Sequence, residues 1–307
     1  MFAALLTTVL FSLSVICGHR SARLIGGTEA NFWRVTVATA LLAIWAYTWG
    51  LGLSGAALPL FLASGVAGIG VGDVAFFQGL PRLGPRLSLL LIECLAPPCG
   101  ALVEWLWLGT TLSAFQVLCG VVILAGVGVA LAPGEHVGRP RRQLVIGIFS
   151  CSLAALGTAV GAVLSRKAYA LAESCGESPD AGTAGFQRVA GGLILAGLVL
   201  LVVKRQVFRV QRRAPHQLVV EASIKKWKSV WFWVVLNSLF GQTLGVCCMQ
   251  AALKTTPTGI VLAIIATTPI VAIPLAYAIE GERPTLRSFI GGLIAVGAVV
   301  ALVTVGR

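Results

Sequence analysis

Ten apolar runs of about twenty residues follow one another along the chain, separated by short polar stretches. They fall near Phe2 to Cys17, Phe32 to Trp49, Leu58 to Phe77, Leu87 to Leu108, Phe115 to Ala132, Leu144 to Ser165, Gly182 to Val203, Val230 to Cys248, Thr258 to Ala278 and Ser288 to Val305. Crossing about 30 Å of hydrocarbon takes roughly 20 apolar residues in a helix. Ten such helices use about two thirds of the 307 residues and leave no room for a soluble domain. The pattern predicts an all-α integral membrane protein. The first run has no basic residue before it, and Ile16-Cys17-Gly18-His19 offers no small-residue cleavage site, so it reads as a membrane helix and not a signal peptide.

The pattern repeats. A shift of 172 positions lays Pro85 on Pro257, Leu90 on Leu262, Ile92 on Ile264, Pro97 on Pro269, Gly109 on Gly281 and Gly120 on Gly292. Four of these six pairs are Pro or Gly, the residues that decide where a helix bends, stops or admits a neighbour. Upstream, Phe32-Trp33-Arg34-Val35 lies on Phe186-Gln187-Arg188-Val189 at a shift of 154, and the basic connector of the second half absorbs the difference. The chain therefore divides into residues 1–138 and 139–307, five spans each, with the basic connector at 204–228. A second copy that begins after an odd number of spans sits upside down in the bilayer, which is the architecture of alternating-access transporters.

Composition agrees: 57% of residues are apolar and 11% charged, with a mean hydropathy of +0.93, against about 25% charged in soluble domains. The net charge of +12 resides mostly in connectors, where it acts on topology and lipid headgroups, so nucleic acid is not an expected partner. Lys204, Arg205, Arg209, Arg212, Arg213, Lys225, Lys226 and Lys228 make the longest connector either a surface helix on anionic lipid or a solvated loop. The odd-numbered connectors carry 17 Lys and Arg, among them Arg20, Arg23, Arg82, Arg86, Arg139, Arg141, Arg142, Arg283 and Arg287; the other face has Arg166, Lys167, Lys254 and Arg307. The positive-inside rule puts the richer face in the cytoplasm and both termini outside. Of eight cysteines, all but Cys175 lie in or beside apolar runs and read as small buried hydrophobes.

Two five-span halves, an Arg early in each second span, Pro97 or Pro269 in each fourth span and a Gly-rich last helix resemble the EamA family of the drug/metabolite transporter superfamily. Glu280-Gly281-Glu282-Arg283 followed by Ser288-Phe289-Ile290-Gly291-Gly292 is similar to that family's ending, whereas Leu108-Gly109-Thr110 lacks the usual acid after Gly. The resemblance implies ten helices, as two inverted five-helix repeats around a central cavity, moving small metabolites. It also implies that both termini lie inside, opposite to the charge count.

Ionisable groups within spans are costly and point to function. Four are singled out: Arg34, Asp73, Glu93 and Arg188. The first three lie about 5 to 10 Å inside helix ends on one face of the membrane, with two carboxylates for one guanidinium. The surplus carboxylate would await a proton, a cation or a substrate amine; alternatively Asp73 pairs with Arg34 or Arg82, Glu93 is protonated or reaches Arg86, and all are structural. Arg188, Gln250 and Lys254 belong to the opposite face. Gln78 and Gln250 coincide under the 172 shift and either bond between helices or line the pathway. Pro97 and Pro269 are expected kinks that free backbone carbonyls for a ligand. Gly70-Val71-Gly72-Asp73 matches a pattern of intramembrane aspartyl proteases, but the other aspartate, Asp180, lies in a polar connector. No nucleotide, cofactor or metal spacing is found. The expected function is secondary active transport, in the outward direction, of small organic metabolites such as amino acids through the cell membrane, with protons as a possible coupling ion. The alternatives are a sugar-phosphate or nucleotide-sugar exchanger and a non-transporting membrane scaffold.

Overall fold

The computed structural model describes residues 1–83, 85–131, 140–211, 230–280 and 286–305. Each of the ten apolar runs is helical, and no strand occurs among the described residues. The first five helices are α1 (Phe2–Ile25), α2 (Gly27–Thr48), α3 (Leu58–Gly65, a π-helical turn at Val66–Val71, then Gly72–Leu83), α4 (Pro85–Leu108) and α5 (Ala114–Leu131). The second five are α6 (Arg141–Ser174), α7 (Ala181–Gln211), α8 (230–237, a π-helical turn at Ser238–Gly245, then Val246–Thr255), α9 (Thr258–Ile265 and Thr268–Glu280) and α10 (Leu286–Val305). The expected readings at Pro133 to Arg139, Arg212 to Lys228, Gly281 to Arg283 and Arg307 lie outside the described residues, as do the side chains of Arg86 and Lys204 to Arg209.

Several helices outrun their apolar stretches. Helix α1 continues through Arg20 and Arg23 to Ile25, and α6 is 34 residues long, passing through Arg166 and Lys167 to Ser174. Backbone amides near the hydrocarbon must be hydrogen-bonded, so the helix persists, with Arg23 and Lys167 exposed and Arg166 turned into the bundle. Gly26 alone joins α1 to α2, at φ +87°, where a side chain would be strained.

The packing reveals a pseudo-twofold axis. Helices α2 and α7 pack on each other, as do α4 and α9, and α5 and α10, while α1 on α8 mirrors α6 on α3 and α1 on α9 mirrors α6 on α4. The π-helical turns of α3 and α8 both begin at positions 172 residues apart, Val66 and Ser238, so the repeat extends into a backbone irregularity. Helix crossings at the axis rely on glycine. A Cβ on Gly65 would overlap the Arg188 carbonyl, one on Gly191 the Leu62 carbonyl, and Gly126 and Gly291 face each other across α5 and α10.

The two predicted proline kinks differ. Helix α4 runs on through Pro97 and Pro98, whereas α9 breaks at Ala266 and Thr267, just before Pro269. The carbonyls released at that break are already occupied. Thr268 Oγ1 donates to Ile265 O at 2.6 Å, and Thr267 Oγ1 and Thr8 Oγ1 donate to Ile264 O at 2.6 and 3.2 Å. Ser12 of α1 adds a bond to Thr268 O at 2.9 Å. The break is thus sealed by hydroxyls rather than left open to a ligand, as apolar surroundings demand. All eight cysteines are unpaired; Cys17, Cys119 and Cys151 are buried and Cys175 is exposed.

Candidate functional site

Arg34 lies seven residues inside the start of α2, Glu93 eight inside α4, and Asp73 ten residues before the end of α3. At about 1.5 Å per residue that is about 10 to 15 Å from the helix ends, farther than expected because the helices outrun the apolar runs. Arg34 Nη2 meets Asp73 Oδ2 at 2.7 Å, and Arg34 Nε donates to Asn31 Oδ1 at 2.7 Å. The pair is about four fifths buried, 19% and 23% exposed. A guanidinium held by both a carboxylate and an amide is fixed in orientation with donors to spare.

These groups face a cavity of about 280 Å³ walled by α1 to α4 of the first half, with Asn237 from the second. Ser14 and His19 of α1, Asn31 of α2, Phe76 and Leu80 of α3, Leu89 of α4 and Asn237 of α8 complete its walls. Ser14 Oγ donates to Asn237 Oδ1 at 2.6 Å, closing the ring between first and second halves. His19 is exposed and stands near the end of α1, so the cavity reaches the surface at the face that carries the basic connectors. Glu93 follows Leu89 by one helical turn on the same side of α4, one turn deeper in the membrane. Among the described residues its carboxyl has no hydrogen bond or ion pair. Of the expected trio, Arg34 and Asp73 are joined and Glu93 is the surplus acid.

Arg188 is elsewhere. It is buried at 4% exposure, and its Nη1 donates to Ser64 Oγ at 2.7 Å, Gly161 O at 3.0 Å and Ser165 Oγ at 3.0 Å. Gln250 Nε2 donates to the same Ser165 hydroxyl at 3.0 Å. The sequence placed Arg188 and Gln250 on a common face, and the structure joins them through Ser165. Lys254 is apart, bonded to Ser178 Oγ at 3.0 Å and Pro179 O at 3.3 Å. Among the described residues no carboxylate lies at ion-pair distance from Arg188; neutral oxygens of α3 and α6 hold its charge, and the missing Cβ of Gly68 gives its Nη2 room. This cluster ties α3, α6, α7 and α8 together and does not line the cavity. Gln78 is exposed and accepts from Arg82 Nη1 at 3.2 Å, away from the cavity.

The sequence matches the EamA-like transporter family over residues 1–132 and 145–304, the two halves in turn. This chain belongs to the EamA-like transporter family. It is therefore a multi-pass membrane protein of the drug/metabolite transporter superfamily. Among 29 matching chains of solved structures, one crystal structure superimposes with a TM-score of 0.72 over 99% of this chain and 96% of its own, at 19% identity, and so shares the fold. No curated protein sequence matches.

In this EamA-like chain, sequence reasoning missed a second ion pair. Glu104, near the end of α4, and Arg166 of α6 meet at 2.7 Å, with Glu104 2% exposed. Arg166 counts in the sequence among the connector charges of its face, and Glu104 stands beside Trp105 and Trp107 near the end of an apolar run. The available signal was an acid inside an apolar run. The protease reading fails on geometry. Asp73 is engaged by Arg34, while Asp180 caps α7 at the opposite end of the bundle, so the two cannot share a proton.

Proposed function

We propose that this chain is a secondary active exporter of small organic metabolites, amino acids or related compounds, working by alternating access in the cell membrane. The observation that carries the reading is the polar cavity among α1 to α4, closed on one side by α8. It has a guanidinium and a carboxylate side by side, amides at Asn31 and Asn237, and a mouth at the basic face. A zwitterion brings both partners that these charges want, and can exchange with the ion pair rather than leave either group unpaired. At about 280 Å³ the space lies at the small end of ligand pockets, suited to a metabolite and short of a nucleotide-sugar. A phosphate-bearing substrate would also want several cations, and Arg34 is the arginine that lines the cavity.

Glu93 is the candidate proton carrier, a carboxyl one turn below the cavity wall with no partner among the described residues. Proteoliposomes containing the full chain, offered a panel of amino acids and related metabolites, test both ideas. The expected outcome is saturable flux that a pH gradient accelerates. Arg34→Gln and Asp73→Asn should each lower that flux by about tenfold or more, the effect of leaving one buried charge alone. If no compound on the panel moves, the transport proposal is lost. If flux ignores the gradient and Glu93→Gln behaves as wild type, proton coupling through Glu93 is lost.

A further inference from the structure

The cavity and the Glu104–Arg166 pair stand at opposite ends of the bundle. Glu104 is four residues from the end of α4, and Arg166 lies in the last quarter of α6, both toward the face opposite the cavity mouth. Arg166 Nε meets Glu104 Oε1 at 2.7 Å, and Arg166 Nη1 donates to the carbonyls of Leu253 and Thr256 at 3.0 and 2.5 Å. The other carboxylate oxygen, Oε2, accepts the backbone N–H of Thr258. The cation thus sits on the C-terminal carbonyls of α8 and the anion on the N-terminus of α9, each matching the local helix dipole. Two side chains grip four helices drawn from both halves.

Below the pair α4 and α9 touch at small residues. A Cβ on Gly100 of α4 would press on the Leu262 and Thr258 side chains, and Gly259 of α9 abuts Ala101. Ala159, two turns below Arg166 on the same side of α6, is fully buried. Lys167 covers the outside, 5.5 Å from the Trp107 ring. The repeat does not reproduce this arrangement. The 172 shift lays Glu104 on Ala276 and Thr258 on Arg86, so the pair is not repeated position for position.

We propose that the Glu104–Arg166 pair is the latch of the transport cycle: it holds shut the face opposite the cavity mouth, and that face opens when the pair separates. The proposal rests on the alternating-access reading. A buried ion pair is costly to split dry, because each charge loses its partner without regaining water. The latch therefore yields only as water enters between α4, α6 and the α8–α9 turn. While the pair holds, the chain rests with the cavity face open, and closure of that face around a solute must supply the energy to release it.

The test uses the full chain in proteoliposomes with Ala159→Cys as reporter and a charged, membrane-impermeant methanethiosulfonate applied from the latch face. Modification is read by mass spectrometry of the peptide containing residue 159, so the native cysteines stay in place. Adding Glu104→Gln should speed labelling about tenfold or more, since the open population rises as the pair is lost. The double change Glu104→Gln with Arg166→Met leaves no lone charge, keeps the fold where the single change does not, and should also label fast. Unchanged rates in both, in protein that elutes and melts as folded, overturn the latch. Faster labelling without solute flux keeps the latch and removes the transport reading; flux with unchanged labelling removes the latch alone.

Discussion

Asp180 precedes α7 and collects hydrogen bonds from Trp45 Nε1 at 2.9 Å, the Gly182 and Thr183 amides at 2.8 and 3.1 Å, and the Thr183 hydroxyl at 2.5 Å. Partial burial opposes its ionisation, but these bonds outweigh it and hold the carboxyl below its ordinary value of 3.8. A lowered folded pKa contributes stability above the unfolded pKa, and that contribution is lost as the pH falls through the folded value. Asp180→Ala should therefore melt lower at neutral pH, by about 1 kcal/mol for a lost N-cap. The gap should shrink as the pH is taken from 5 to 3 in detergent-solubilised protein; a gap independent of pH would contradict the ionised cap. At this scale the sequence located the costly charges but not their partners. Arg34, Asp73 and Arg188 announce themselves as ions in apolar runs, whereas Glu104 and Arg166 become a pair only because α4 and α6 cross where they do.

Helix boundaries and helix crossings follow different rules. Apolar runs fix where ten helices lie, because the backbone in hydrocarbon has no other way to satisfy its amides. They say little about where helices stop, which explains why α1 and α6 overshoot, or where one locally widens into a π turn. Glycine content shows that close approach occurs, and only the packed structure tells which glycines need it. Gly65→Ala drives a methyl into the Arg188 carbonyl where α3 crosses α7. It should cost about 2 to 3 kcal/mol, the overpacking range, or prevent folding. Gly128→Ala in α5 meets nothing within 4 Å and should be neutral or stabilise by up to about 1 kcal/mol, since alanine favours helix. Thermal melting and elution volume of the two variants check the contrast; equal losses would mean that the crossing tolerates a side chain.

For the whole molecule, the charge bias and the cavity fall on the same face. His19 opens the cavity beside Arg20 and Arg23, and the positive-inside rule assigns that face to the cytoplasm. The expected topology therefore has both termini outside, the cavity loading from the cytoplasm and the Glu104–Arg166 latch facing outward, the arrangement an exporter needs. A phosphatase active only outside, fused to the C-terminus, should be active, and a fluorescent protein that matures only in the cytoplasm should be dark. The reverse pair of results would put the termini inside, as the family resemblance implies, and make the resting cavity outward-facing. The sequence by itself determined the membrane class, ten spans and two inverted copies, because hydrophobic length and Pro/Gly punctuation are local properties that repeat along the chain. Only the tertiary structure decided that Arg34 takes Asp73 and leaves Glu93, that Arg188 is held by neutral oxygens away from the cavity, and that Glu104 meets Arg166. Those outcomes depend on which helix faces which, and the energy of a charge in a membrane is set by the neighbour it meets.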